Sequence, residues 1–397
     1  MAVNPRCVKE IKLALEMGCK VSVLKFTFSN WSAEVEKKLT ASFPSVTFYN
    51  LSAERKPFIP WFVSTFLEKF STLISIFVPL PAKWTGYAVG KRSWLIAHFL
   101  RKLVITPDLI IGHNPATFWP VANFAKVRSV PFAIDVEDYH PGEYKKKRQC
   151  NNTLILMKSI LPRGVYVSFA SPLILEVVNK QIQGLNKSVL INNCFENHEF
   201  SPPVTKKYKK LRVVWFSQHI DFGRGLEKIL PVLAKVEQHI ELTLIGNLRA
   251  KFQAFLVFYP FVTIVSPLPQ KELHATLKNF DIGLAIEERN VDLNREICLT
   301  NKIWSYFQAG LFILASYTKA QQQFISEHGE HGVLIDLGNE ESILKSINQI
   351  LNNREIIHSK MLERFNHSTA YSWEKEKQKL EEVWLSVIPA TNKYADH

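Results

Sequence analysis

Cysteine is scarce in this 397-residue sequence. Its five cysteines (Cys7, Cys19, Cys150, Cys194 and Cys298) stand apart, with no C-x-x-C pair and no histidine at ligand spacing. Neither a disulfide framework nor a zinc site is indicated, and a reducing cytosol fits best. No low-complexity tract interrupts the chain, which excludes a long disordered tail. No apolar run reaches the roughly 18 residues that a membrane-spanning helix needs. The N-terminal MAVNPRCVKEIKLAL carries charges where a secretion signal has an unbroken apolar core. A cytoplasmic protein that folds throughout is the expectation.

What is present is a soluble globular composition, with 47% hydrophobic and 21% charged residues. The length exceeds one ordinary core and suits two domains. The formal charge of +13, from 49 Lys+Arg against 36 Asp+Glu, attracts polyanions such as phosphates, nucleic acid or an anionic membrane face without choosing among them. The excess is local: Lys83, Lys91, Arg92, Arg101 and Lys102 share one segment, Lys145 to Arg148 form a run, and Lys206, Lys207, Lys209 and Lys210 another. Each run reads most simply as a solvated face or linker. The runs lack interleaved aromatics for stacking bases and no recognised module is present, so no nucleic-acid partner is expected.

From Leu211 onward, short β-rich runs alternate with segments of helical spacing. The runs are Leu211 to Ser217, Ile240 to Asn247, Val262 to Leu268, Asp281 to Glu287, Leu311 to Ser316 and Gly332 to Leu337. Near-continuous apolar strands between amphipathic helices predict a parallel sheet covered on both faces, which binds ligands at the carboxyl ends of its strands. The first half has the same grammar, with strands expected at Lys20 to Phe26, Val46 to Leu51, Asp108 to His113, Val130 to Asp138 and Val165 to Ala170. Its first element is a helix from about Arg6 rather than a strand; either that strand is missing or MAVNPR is its remnant. Two domains are expected, 1–203 with a terminal helix at 372–390, and 208–371, joined at the Pro- and Lys-rich SPPVTKKYKK. Between the strands of the first half lies Lys56 to Leu80, the most apolar stretch, with Phe58, Phe62, Phe66, Phe70, Leu73 and Phe77 on one helical stripe. A core-packed helix is the plain reading, and an amphipathic helix touching an anionic membrane surface the alternative.

Candidate chemistry gathers at three places. The turn Ser217-Gln218-His219-Ile220-Asp221-Phe222-Gly223-Arg224-Gly225 leads from a strand straight into a helix. Its amides, the positive helix end and the Arg224 fork suit a diphosphate. Thr300-Asn301-Lys302 opens another helix with a hydroxyl, an amide and an ammonium suited to phosphate or sugar, although Thr300 could equally be a plain cap. In the first half, Asp135, Glu137, Asp138, His140 and Glu143 follow an apolar strand, where they cannot serve the core and so are solvated, paired or catalytic. Glu137, Asp138 and His140 could act as acid or base or orient hydroxyls. His113 ends DLIIGH and reads as an ordinary loop histidine. No metal is required by these spacings.

Taken in order, PRCVKEIKLALEMGCKVSVL, DLIIGHNPAT, DVEDYHPGE, FASPLI, VLINNCFEN, QHIDFGRG, LIGN, DIGLAIE and TNKIWSYFQAGLFILAS resemble the GT-B fold glycosyltransferases of the group-1, family-four bacterial type, over nearly the whole chain. The resemblance implies two Rossmann-like domains in an α/β chain, with a C-terminal helix crossing back to the first. It implies a nucleotide-sugar donor, UDP- or GDP-linked, in the second domain and a saccharide or lipid-linked acceptor in the first, with retention of configuration and no permanently bound cofactor. It implies cytoplasmic polysaccharide or glycolipid synthesis, peripheral at the inner membrane face. Gln218, Gly223, Arg224, Gly225, Asn247, Glu287, Glu296, Thr300, Asn301 and Lys302 then border the donor, with Glu288 beside them. Departures are plain: Gln218 stands where relatives often have a second arginine, Ser305 and Ile297 replace the two acids of an E-x7-E pair, and Glu137 stands where relatives often have histidine. These leave room for a GT-B nucleotide-sugar epimerase or a non-catalytic sugar-nucleotide partner.

Overall fold

Both halves of the chain alternate parallel strands with helices in a computed structural model that describes residues 4–29, 32–204 and 209–388. One compact unit runs to Ala170 and takes up Ile174–Ile191 and the chain from Lys377; the other is Ser171–Leu173 with Asn192–Glu376. The first carries β1 (Ser22–Thr27), β2 (Thr47–Ser52), β3 (Ile110–His113), β4 (Phe132–Val136), β5 (Tyr166–Phe169) and β6 (Ser188–Leu190). The second carries β7 (Leu211–Ile220), β8 (Ile240–Leu248), β9 (Val262–Val265), β10 (Ile282–Ala285), β11 (Phe312–Ser316) and β12 (Gly332–Ile335).

The second unit's sheet has the order β12-β11-β10-β7-β8-β9, parallel throughout. Alternation along β7 sends Val213 and Trp215 into one core with Leu242, Leu284 and Leu314. Val214 goes to the opposite core with Ile245, Ala285 and Ile313. Burial on both faces is why these strands read as unbroken apolar runs. The chain winds outward in both directions from β7 and β10, so their carboxyl ends form the switch point where such sheets hold ligands.

In the first unit, β3-β4-β5-β6 form one parallel sheet and β1-β2 another, separate among the described residues. The β6 strand, three residues long, is too short to have shown a pattern in the sequence. Of MAVNPR, Pro5 and Arg6 are helical in Pro5–Glu16, capped by Asn4 whose Oδ1 accepts from Cys7 N at 2.8 Å. Met1 to Val3, and Thr205 to Tyr208 of the linker, lie outside the described residues.

The first unit ends earlier than the sequence suggests, at Ile191 rather than near 203. The physical reason is a set of hydrogen bonds that commits the following segment to the second unit. Phe195 N donates to Gln308 Oε1 at 2.8 Å and Asn197 N donates to the Glu374 carboxylate at 3.0 Å. Glu374 belongs to the Trp373–Val387 helix, whose later residues join the first unit, where Trp384 Nε1 donates to Tyr166 Oη at 2.8 Å.

The aromatic stripe departs from the plain reading. It forms the helix Phe58–Ile74, but the buried residues of that helix are Ser64 and Ser71, and the phenylalanines face outward. A core-packed helix is therefore corrected to one carrying its apolar face in the open.

Candidate active site

At the switch point, β7 continues past a bulge between Phe216 and His219 and stays paired with β8 through Ile220 and Leu248. This extension carries Gln218 and His219 to the sheet's carboxyl edge, where Asn247 Nδ2 donates to Gln218 O at 3.0 Å. The chain then turns through Gly223 (φ 74°) and Gly225 (φ 83°) into the helix Leu226–Ala234. Both glycines have the left-handed backbone that side chains disfavour. A Cβ at Gly225 would also lie 3.5 Å from the Ile286 side chain just beyond β10, so the glycine lets the turn close onto the switch point.

The turn presents cations beside its amides. Arg224 is half-buried in it, and Arg249, which follows β8, lies with Nη2 3.1 Å from His219 Nε2. Burial and the charges of Arg249 and Arg224 hold the His219 pKa below its ordinary value, which favours the neutral ring. Two of the loop amides are already engaged: Phe222 N donates to Asp221 Oδ1 at 2.8 Å and Gly223 N to Glu227 Oε1 at 2.6 Å. A carboxylate thus already sits at the positive helix end, as the helix dipole favours. Arg249 escaped the sequence reading because a single arginine after a strand carries no pattern.

On the other side of the switch point, Gly283 in β10 has no side chain, and Tyr306 packs directly over it. That close approach seats the helix Asn301–Gln308, which brings Lys302 Nζ 2.7 Å from Glu287 Oε1, both groups buried. Lys302 also lies 5.6 Å from the Trp215 ring centroid. Glu288 pairs with Lys228 at 3.1 Å, and Glu296 Oε1 accepts from Asn290 N at 2.8 Å. Thr300 stands at the helix start without making a side-chain cap, and Asn301 is exposed. Ser305 is buried; its Oγ lies 3.1 Å from His274 Nε2.

In the first unit, the carboxyl ends of β3 and β4 meet the helix Pro5–Glu16. Arg6 Nη2 lies 3.0 Å from Asp135 Oδ1, and Ser168 of the adjacent β5 donates to the same oxygen. His113 Nε2 is 3.1 Å from Glu10 Oε2, while its Nδ1 is 3.4 Å from Asp135 Oδ2 and 3.9 Å from Glu137 Oε1. Immediately after His113 the chain turns at Asn114 with φ 63°, a conformation uncommon outside glycine that starts the next helix. Asp135 is fully buried, which corrects the reading that none of these acids serves the core. It does so as a compensated charge.

The electrostatics separate the members of this group. Burial would raise Asp135, but the Arg6 charge, the His113 ring and Ser168 bring it down to about 2. Glu137 goes the other way: burial, then the charge of Asp135, push it up to about 7. For His113, burial is outweighed by Glu10 and by its hydrogen bonds, so its pKa lies well above the usual histidine value. Glu10, His113 and Asp135 have ligand atoms close enough to hold a metal ion. Arg6 and a protonated His113 nevertheless already supply two positive charges to these carboxylates. His140 stands elsewhere, buried with Nδ1 2.9 Å from Glu143 Oε2 and its ring edge-on to Phe118. Of the three proposed acid–base residues, the structure brings Glu137 to the charged group, half-buried Asp138 follows it in the chain, and His140 belongs to the turn beyond.

Arg6→Met removes the cation on which buried Asp135 depends. It should destabilise the protein by about 3–5 kcal/mol, the usual consequence of stranding one partner of a buried pair. Denaturant titration at neutral pH measures this; a change below about 1 kcal/mol contradicts the pairing.

No protein-family model matches the sequence, and no curated protein matches it by sequence. Solved structures do match. Anabaena HepE in complex with UDP aligns at a TM-score of 0.67 with 12% identity, over 96% of this chain and 97% of that one. A glycosyltransferase from Rickettsia africae aligns at 0.65 with 14% identity, over 96% and 95%. Sucrose-phosphate synthase from Thermosynechococcus elongatus aligns at 0.64 with 13% identity, over 97% and 92%.

Proposed function

We propose that this chain, which has the GT-B glycosyltransferase fold, transfers a sugar from a nucleoside diphosphate donor bound by its second unit. The observation that carries this reading is the placement of Arg224 in the turn after β7 and of Arg249 directly after β8, beside the switch point of a doubly wound sheet. Two guanidinium forks there match the charge of a diphosphate, the group that departs when the glycosidic bond is remade. Gln218, Gly223, Gly225 and Asn247 shape that edge. Glu287 and Lys302, with Glu296, Thr300 and Asn301, would meet the sugar or ribose, Glu287 by exchanging its Lys302 partner for a hydroxyl. A uridine donor is the first candidate, because the HepE structures hold UDP and UDP-glucose; a GDP-sugar is the second.

The acceptor in this reading is a saccharide or lipid-linked saccharide of a bacterial polysaccharide or glycolipid, bound by the first unit at the cytoplasmic membrane face. Glu137 would receive the proton of the attacking hydroxyl, with Asp138 and His140 behind it. Retention of configuration is proposed from the family resemblance alone.

A thermal-shift screen against UDP-, GDP-, ADP- and CMP-sugars tests the donor. At about 100-fold excess over the dissociation constant, one class should raise the melting temperature by about 5 °C or more. No shift with any class removes the proposal. Incubating the responding donor without acceptor and resolving the sugars by chromatography separates a transferase, which leaves the sugar unchanged, from a nucleotide-sugar epimerase.

A further inference from the structure

The helix Phe58–Ile74 is amphipathic in the wrong sense for a soluble protein. Phe58, Phe62, Phe66, Phe70, Leu73 and Phe77, on it and in the turn after it, are 40–77% exposed, while Ser64 and Ser71 are buried. Spacings of three and four residues keep the apolar side chains on one stripe. Four of the rings form a continuous stack, with centroids 5.9, 6.5 and 5.6 Å apart from Phe58 to Phe70. Phe70 then meets Trp84 edge-on at 6.3 Å.

Polar contacts lock this orientation from beneath. Arg148 Nη2 donates to Thr72 O at 2.8 Å, Asn152 Nδ2 donates to Ser75 Oγ at 3.0 Å, and Thr72 Oγ1 donates to Ala88 O at 3.3 Å. Turning the phenylalanines inward would strand these groups, so the exposed ridge belongs to the fold. Leaving so much apolar surface in water is costly unless something covers it.

The charges around the ridge select the cover. Residues 55–92 contain six basic side chains and a single acid, Glu68. Trp61 lies between Arg55 and Lys91, whose charged ends are 5.4 and 4.7 Å from its ring centroid, and Lys83 lies 5.7 Å from that of Trp84. A second copy of the chain, paired symmetrically, would bring these cations against one another. An anionic lipid leaflet complements both features: acyl chains take the phenylalanine ridge, and headgroup phosphates take Arg55, Lys83 and Lys91, with Trp61 and Trp84 at the interface between them. At 17 residues, and so about 25 Å long, the helix lies in the surface; no described helix is long and apolar enough to cross a membrane.

We propose that the Phe58–Ile74 helix and the turn after it are a docking face for an anionic bilayer, seated in its headgroup and upper acyl region. This rests on the transferase reading only for its purpose, which is to hold the enzyme where a lipid-linked acceptor is exposed.

The test is co-sedimentation of the full chain with phosphatidylcholine vesicles with and without phosphatidylglycerol. Binding should require phosphatidylglycerol and weaken about tenfold in high salt. A Phe62→Ser/Phe66→Ser variant, altered only at exposed positions, should lose at least about tenfold in vesicle partitioning while keeping its melting temperature. Arg55→Gln/Lys83→Gln should weaken binding without abolishing it. Full binding by the phenylalanine variant, or none by the wild type, overturns the proposal. So does a concentration-dependent dimer that Phe62→Ser/Phe66→Ser abolishes, since the ridge would then belong to a second copy. Donor thermal shifts on the same samples keep the two readings apart, because vesicle binding without a donor response removes the transferase alone.

Discussion

Arg224→Ala should lower donor-dependent transfer by about 10²- to 10³-fold while leaving the fold intact. The size follows from what the side chain is asked to do: charge grows on the leaving diphosphate as the glycosidic bond breaks, and a fixed guanidinium stabilises that charge more than it stabilises bound donor. The loss should therefore fall mainly on kcat. Arg224 is half-exposed in a turn and in no apolar core, so its truncation should change unfolding free energy by no more than about 0.5 kcal/mol. Arg224→Lys should recover only part of the activity, because one ammonium cannot reproduce a two-pronged contact. Turnover equal to wild type in Arg224→Ala would place the diphosphate elsewhere on the unit, with Arg249 and Lys302 the next candidates.

The second large effect belongs to Glu137. With its pKa pushed up to about 7 by burial and by Asp135, this carboxyl is half-ionised near neutrality and can take a proton from an acceptor hydroxyl. Wild-type kcat/KM should rise through an apparent pKa near 7. Glu137→Gln should lose about 10²- to 10⁴-fold and with it that rise. Stability moves oppositely. The folded state holds the Glu137 proton more tightly than the unfolded chain, so this group costs stability progressively as pH climbs from 4.5 to about 7, by up to about 3 kcal/mol. Glu137→Gln should thus melt higher than wild type above pH 7 and alike near pH 4. Asp135 has the reverse sign: its contribution is full above 3.8 and is lost as pH falls to about 2. A variant that loses activity yet keeps the wild-type pH dependence of melting would show that Glu137 is not the group titrating near 7.

The second unit was legible because strands buried on both faces are apolar along their length, and Val213, Val214 and Trp215 announce β7 whatever packs on them. Helical spacing likewise marked the phenylalanine stripe, but a period says which residues share a face and nothing of what that face meets. Ser64 and Ser71, on the inner side, were the overlooked signal. The Arg6, Glu10, His113 and Asp135 group was hidden for a different reason. Its partners stand some hundred residues apart, and only a charged pair four residues apart on the Pro5–Glu16 helix hinted at it. The Gly223–Gly225 turn stands out in the sequence for its glycines and Arg224, yet two of its amides are held by Asp221 and Glu227, acids that the glycine pattern does not register. The missing E-x7-E pair is matched by a structural fact: Ser305 is buried against His274, leaving Glu287 as the acid nearest Lys302 at the strand ends.

Calorimetric titration of UDP and GDP into the wild type and into Arg224→Ala bears most directly on the second unit as a nucleoside diphosphate site. The account predicts one-to-one binding of one of the two nucleotides to the wild type and a loss of about tenfold or more in affinity on Arg224→Ala. Binding of neither nucleotide, or equal affinity in both proteins, would contradict it.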